Sequence, residues 1–179
     1  QGCPVNIDIP SFIKEIKENN LDKAGEIIRQ SSMLPSVCGR VCPQEKQCEG
    51  NCILGIKGES VAIGALERYV GDNTQPKPVS ITPNGKKVAI VGSGCAGMSA
   101  AADLRAAGFE VSIFEALHEL GGVLRYGIPP FRLPRTVLDR EIESLKNIGV
   151  KFYKNVIVGK SITIKQLQEE GYSAIFICS

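Results

Sequence analysis

Seven cysteines occur in the 179 residues. Four of them crowd into one stretch, CGRVCPQEKQCEGNC, spaced C-x3-C-x5-C-x3-C from Cys38 to Cys52. Thiolates held this close either share a metal centre or staple a small secreted domain. Structural zinc sites favour C-x2–4-C pairs separated by roughly a dozen residues or more, and the central gap of five is too tight for that arrangement. Cys3-Pro4 and Cys42-Pro43 are both Cys-Pro pairs, the pair that closes the bacterial iron–sulfur run. Proline after a ligand removes a backbone donor and stiffens the turn that presents the sulfur. An iron–sulfur cluster is therefore the favoured reading of the thiols, ahead of zinc and of plain thiols.

A second chemical signature lies downstream in KKVAIVGSGCAGMSAAADLRAAGFEVSIFEA. Gly92, Gly94 and Gly97 give G-x-G-x-x-G between a buried-strand run and an alanine-rich helix, and Glu115 follows 18 residues after the last glycine. That context is what makes the motif specific. Gly92 makes the tight turn, Gly94 lets the backbone approach a pyrophosphate, and Gly97 lets helix and strand pack closely. The pyrophosphate would sit on the helix N-terminus and Glu115 would accept from the adenosine ribose hydroxyls. An acid at that position disfavours a 2′-phosphate, so NADP is not expected at this site.

The elements that must position these groups are short. Ser11 can cap a helix with Phe12, Ile13 and Ile16 on one face, and Asp22 a second with Ala24, Ile27 and Ile28. A third follows over SVAIGALERYV, with Ile63, Leu66 and Val70 inward. The cysteines then fall on loops between short helices that need a metal centre to supplement their packing. The stretch 72–85 carries three prolines and no periodicity, and is the natural linker. After it come strands at 87–91 and 109–114, a helix over 96–107 ended by Gly108, a helix opened by Pro134 with Val137, Ile142 and Leu145 inward, a strand at 150–153, a helix over 161–171 and a strand at 172–178. Strands alternating with helices make a doubly wound parallel sheet. The fold class is α/β: a small all-α iron–sulfur domain at 1–78, then a partial Rossmann-like domain at 79–179.

Composition narrows the partners. With 21 basic and 19 acidic residues in no long runs, the chain offers nucleic acid or a membrane surface no electrostatic footprint. No apolar run approaches the roughly 20 residues of a membrane span, and no signal peptide opens the chain. An odd cysteine count beside a nucleotide fold points to a reducing cytoplasm. The chain begins at Gln1 and stops at Ser179 within an apolar run, as a cut piece would. Cys95 reads as a small residue that fits the glycine turn, Cys178 as core, and His118 as a surface loop residue. No side chain is singled out as a catalytic acid, base or nucleophile.

Together, CGRVCPQEKQCEGNC and VAIVGSGCAGMSAAADL…FEA…GGVLRYGIPPFRLPR resemble the NADPH-dependent glutamate synthase small-subunit family. Its relatives include the flavin–iron–sulfur subunit of NADH-dependent ferredoxin:NADP oxidoreductase and the N-terminal part of dihydropyrimidine dehydrogenase. The resemblance extends from GCPVNIDIP through SVAIGALERYV and covers nearly the whole chain. It implies a helical domain holding two 4Fe–4S clusters, then an FAD domain and an NADPH domain. Cys3, Cys42 and Cys48 would ligate one cluster, with Glu67 as its fourth ligand. Cys52 would join the other, whose remaining cysteines lie upstream of Gln1, and Cys38 would ligate neither. FAD would lie on Gly92, Ser93, Gly94, Ala96 and Gly97, with Glu115 on the ribose, Gly122, Val123 and Arg132 along the cofactor, and Val158 near the adenine. The second FAD loop and the NADP(H)-binding domain would lie outside this chain. The implied activity is electron transfer between FAD and 4Fe–4S clusters within an NAD(P)H-dependent oxidoreductase. The partner would be a glutamate synthase large subunit or a ferredoxin-linked protein. Two alternatives are a piece of a ferredoxin:NADP oxidoreductase subunit, and a non-catalytic zinc-binding or docking scaffold.

Overall fold

A computed structural model of the chain describes residues 2–76 and 80–179. Two compact units emerge, Gln1–Lys77 and Pro78–Ser179. The boundary expected between 78 and 79 lies outside the described residues.

In the first unit, α1 (Ile9–Lys17) starts from Asp8, whose carboxylate accepts from the Ser11 amide at 3.2 Å. The expected cap, Ser11, is instead the first-turn donor that needs one. Pro10 fits that turn because its missing N–H would have had no intrahelical partner. Helix α2 (Leu21–Arg29) follows Asn20, whose side-chain amide turns away to Glu15 Oε2 at 3.0 Å. Asp22, expected as the cap, lies inside the first turn, where its charge suits the helix dipole. The cysteines are not all on loops. Helix α3 (Pro35–Val41) carries Cys38 and ends on Cys42, and 3-10 turns at Gln44–Lys46 and Ile53–Ile56 follow. Helix α4 (Ile63–Asn73) completes the unit.

Phe12, Ile28, Ile63 and Val70 form its core, with Cys3 and Cys48 packed against them and Leu66 half-buried at the edge. Helices α3 and α4 approach at glycines. A Cβ on Gly39 would sit 2.5 Å from the Arg68 amide nitrogen, and one on Gly71 2.6 Å from that of Ser36. Arg40 then spans the pair, with both guanidinium nitrogens 2.7 Å from the two Asp72 oxygens and a third bond to the Ser36 carbonyl. This close pairing sets the α4 residue Glu67 against the cysteine helix.

The second unit is built on a four-stranded parallel sheet in the order β3-β2-β1-β4, from β1 (Lys87–Val91), β2 (Glu110–Phe114), β3 (Lys151–Tyr153) and β4 (Tyr172–Ile177). The inner strands are buried along most of their length, as strands covered on both faces are, with Ser112 the one buried polar residue among the apolar ones. Helix α5 (Cys95–Ala106) lays Met98, Ala101 and Ala102 inward. A one-turn helix, α6 (Val123–Tyr126), precedes α7 (Arg135–Asn147). On α7 the buried apolar residues are Leu138, Ile142 and Leu145, with Glu141 buried beside them, whereas the expected Val137 is only half-buried. Helix α8 (Ile164–Glu169) opens on a capping box between Thr163 and Gln166. Parallel register places Val91, Phe114, Tyr153 and Ile177 along one edge of the sheet. Among the described residues no helix is long and apolar enough to cross a membrane. The helical unit followed by a Rossmann-type sheet is the α/β architecture expected from the sequence.

Candidate functional site

Cys42 terminates α3, its amide donating to the Cys38 carbonyl at 3.1 Å. Four groups act on its thiol: Cys38, Glu67, Cys3 and Cys48. The neighbouring Cys38 thiol lowers its pKa against burial and the repulsion of Glu67, Cys3 and Cys48. Burial raises that of Cys48. Residues 2 and 3 lie along the Cys48 loop, since a Cβ on Gly2 would meet the Cys48 Cα at 2.8 Å. Glu67 is 6% exposed and its Oε1 has no hydrogen-bond partner among the described residues. Burial, then the Cys38 thiol, push its pKa up to about 8. A buried carboxylate oxygen with no donor is costly, and a cation answers it directly.

Cys52 is held differently. Its pKa is lowered first by the Val61 amide, then by those of Leu54 and Gly55. Amides aimed at sulfur also stabilise a metal-bound thiolate.

Among the described residues, no three His, Cys, Asp or Glu side chains are close enough to hold one metal ion. A 4Fe–4S cube presents separate iron atoms to its four ligands, so its ligands stand further apart. Three thiols and an unanswered carboxylate converging on one place fit such a group.

In the second unit a cleft of about 740 Å³ opens at the carboxyl edge of the sheet. Gly92 turns the chain there with φ +107°, a conformation that favours glycine. Gly97 lies behind it: a Cβ would stand 2.1 Å from the Gly92 carbonyl oxygen, so only glycine lets α5 seat against the turn. Gly94 is the reverse. A Cβ there meets nothing within 4 Å, and the bare backbone faces open space at the N-terminus of the 12-residue α5. Gly122, with φ +51°, closes against it, a Cβ being 3.0 Å from the Gly94 Cα. Open space over Gly94, at a helix N-terminus, fits the pyrophosphate of a dinucleotide.

Ser93 is completely buried and joins three segments. Its amide (2.9 Å) and hydroxyl both donate to Glu115 Oε2, and its hydroxyl oxygen accepts from the Gly121 amide at 2.9 Å. The Leu117 amide donates to Glu115 Oε1 at 2.9 Å. Of about four acceptor positions on a carboxylate, three are used, which leaves one to face the cleft. The Ser93 side chain is thus a clamp at a residue that also lines the cleft. Ala96, Val123 and Val158 line it too. Arg132 does not, and is exposed.

Sequence reasoning missed the cleft's apolar wall, including Phe114, Tyr126 and Ile157. The readable signal was position just beyond a strand's carboxyl end, where such folds place ligands. Cys95 is exposed in the cleft, and Cys178 donates to the Val91 carbonyl at 3.2 Å. His118 contacts the Tyr126 hydroxyl at 3.3 Å on the surface.

Residues 1–79 match the family described as dihydropyrimidine dehydrogenase domain II, 4Fe–4S cluster. Residues 90–140 match the NAD(P)-binding Rossmann-like domain. The glutamate synthase (NADPH) small chain of Escherichia coli strain K12 is 38% identical over 180 residues, covering 98% of this chain and 38% of that one. The chain is homologous to the glutamate synthase small chains. The NADP(+)-dependent formate dehydrogenase subunit beta of Moorella thermoacetica is 40% identical over 99% of the chain and 28% of its own length. The NAD-dependent dihydropyrimidine dehydrogenase subunit PreT of Escherichia coli strain K12 is 40% identical over 98% of the chain and 43% of its own length. This chain therefore spans less than half the length of these curated relatives. Its first unit is a 4Fe–4S cluster domain and its second a Rossmann-like nucleotide-binding domain.

Proposed function

We propose that this chain is the electron-transfer part of a cytoplasmic NAD(P)H-dependent flavin and iron–sulfur oxidoreductase. Residues 1–78 carry the clusters and residues 79–179 carry FAD. When bound, FAD exchanges electron pairs with a nicotinamide and 4Fe–4S clusters exchange single electrons. The chain's own residues bind and orient. Cys3, Cys42, Cys48 and Glu67 hold one cluster, and Cys52 contributes to a second. The glycine turn leaves bare backbone for the pyrophosphate, and Glu115, fixed by Ser93 and Leu117, accepts a ribose hydroxyl. The partner is a subunit that takes the single electrons, of glutamate synthase large-subunit or ferredoxin-linked type, and NADP(H) binds outside this chain.

Glu67 carries this reading. A carboxylate 6% exposed, with an orphaned oxygen beside three cysteines, serves packing poorly and a metal centre well. Anaerobically purified chain should contain iron and acid-labile sulfide, and should take up FAD. Cys48→Ser should abolish the cluster on Cys42, whereas Cys52→Ser should leave it in place. Stoichiometric zinc without iron would overturn the proposal in favour of a docking scaffold.

A further inference from the structure

Residues 116–122 form a strap along the rim of the cleft, fixed at both ends. At one end the Leu117 amide holds Glu115 Oε1 at 2.9 Å, and the Leu117 carbonyl accepts from the Asn155 amide at 3.2 Å. At the other the Gly121 amide donates to the Ser93 hydroxyl at 2.9 Å, and Gly122 closes on Gly94. The middle is fastened from α6. There the Tyr126 hydroxyl oxygen accepts from the Glu119 amide at 3.1 Å, the one partner of that amide among the described residues. Its proton is then directed at His118, whose ring nitrogens lie 3.3 and 3.5 Å away and whose ring meets that of Tyr126 edge-on at 5.7 Å. A neutral imidazole has one nitrogen that accepts. Glu119 also pairs with Lys154 at 3.3 Å, but both side chains are exposed, and such pairs contribute little. Leu117 and Tyr126 themselves line the cleft.

We infer that the Tyr126 hydroxyl holds this strap in the shape a dinucleotide needs, which makes Tyr126 a positioning residue for the ligand's ribose and pyrophosphate. The inference rests on the dinucleotide reading above. The two ends of the strap carry the groups that meet those parts of the ligand, Glu115 the ribose and Gly122 with Gly94 the pyrophosphate. A strap released at its middle must be ordered when ligand binds, and that ordering is subtracted from the affinity. One neutral hydrogen bond is worth roughly a three- to tenfold change in an equilibrium, and binding should weaken by about that factor without it. ADP carries the ribose and the pyrophosphate but no flavin. ADP and FAD should therefore lose affinity by the same factor.

The test uses the full chain, with FAD binding followed by flavin fluorescence, ADP binding by competition, and urea unfolding of the second unit alongside. Tyr126→Phe keeps the ring and removes only the hydroxyl. It should unfold with the parent and bind both FAD and ADP roughly three- to tenfold more weakly. His118→Ala should weaken both by less. The double variant should bind no more weakly than Tyr126→Phe alone, because both changes break one network. Parental FAD affinity in Tyr126→Phe overturns the inference. Weaker FAD binding with parental ADP binding overturns it by placing the effect on the flavin half, and a urea midpoint that falls in Tyr126→Phe overturns it by making the hydroxyl a general stabiliser. Losses that add in the double variant overturn the shared network. Parent protein that binds neither FAD nor ADP overturns the dinucleotide reading, and the role of the strap with it.

Discussion

Gly97→Ala and Gly94→Ala add the same methyl group to the same glycine turn, and the geometry assigns them opposite consequences. At Gly97 the new carbon would stand 2.1 Å from the Gly92 carbonyl oxygen and 3.1 Å from the Cys178 sulfur. Relief requires α5 to retreat by roughly 1 Å from a buried seam, and forced repacking of this kind costs about 1–3 kcal/mol. Alanine returns up to about 1 kcal/mol through helix propensity. The net loss is about 1–2 kcal/mol, which lowers the urea midpoint of the second unit by on the order of 1 M. At Gly94 the methyl meets no atom within 4 Å and φ is −69°, so stability should change by about 0.5 kcal/mol or less. It would, however, occupy the space where a pyrophosphate approaches the backbone. Urea unfolding followed by far-ultraviolet circular dichroism, paired with FAD titration, separates the two. Gly97→Ala should unfold earlier, and Gly94→Ala should unfold with the parent while binding FAD at least tenfold more weakly, by roughly the worth of one charge-assisted contact. A Gly97→Ala protein as stable as the parent, or a Gly94→Ala protein with parental FAD affinity, would refute the reasoning.

Ser93→Ala should destabilise the second unit by about 1–3 kcal/mol, because the Gly121 amide and Glu115 each lose a buried partner; denaturant unfolding reads this, with weaker FAD binding alongside. Arg40→Ala removes the paired 2.7 Å bonds to Asp72 that join α3 to α4. It should cost the first unit about 2–4 kcal/mol, discounted because Asp72 is partly exposed, as measured by a shift in the midpoint of its thermal or urea transition. The Glu110 carboxyl is held below its ordinary pKa chiefly by the 2.6 Å bond from Lys151. Its contribution to stability is present above the unfolded carboxylate value and lost as pH falls through the folded one. Lys151→Ala should return the Glu110 titration, followed by carboxyl carbon-13 shifts, toward the ordinary range.

Much of the second unit was readable because its signals are local. A continuous apolar run, a glycine turn and an alanine-rich helix each carry their own reason for forming. Helix α3 was not. PSVCGRV is short, contains glycine and β-branched residues, and forms because Gly39 and Gly71 let two backbones meet while Arg40 ties them, so tertiary contact overrides weak propensity. The Asp8 cap was misplaced by three positions because Ser11 and Asp8 are both competent cap residues, and only the chain's entry angle chooses between them. At the site, glycine spacing located the turn, but the Ser93 clamp depends on partners 22 and 28 positions away, beyond any local pattern. The proximity of Glu67 to Cys42 is likewise a product of helix pairing rather than of spacing.

That proximity has a polymer consequence. Positions 3, 42, 48 and 67 are spread over most of the first unit, so a group bound to all four cross-links nearly the whole unit at once. Closing a loop of this length restricts the unfolded chain by about 4 kcal/mol on the entropy model used for disulfides, comparable with the marginal stability of a small domain. Folding and metallation of the helical unit then become one coupled event, and oxidative loss of iron should register first as susceptibility to proteolysis rather than as a silent change of colour.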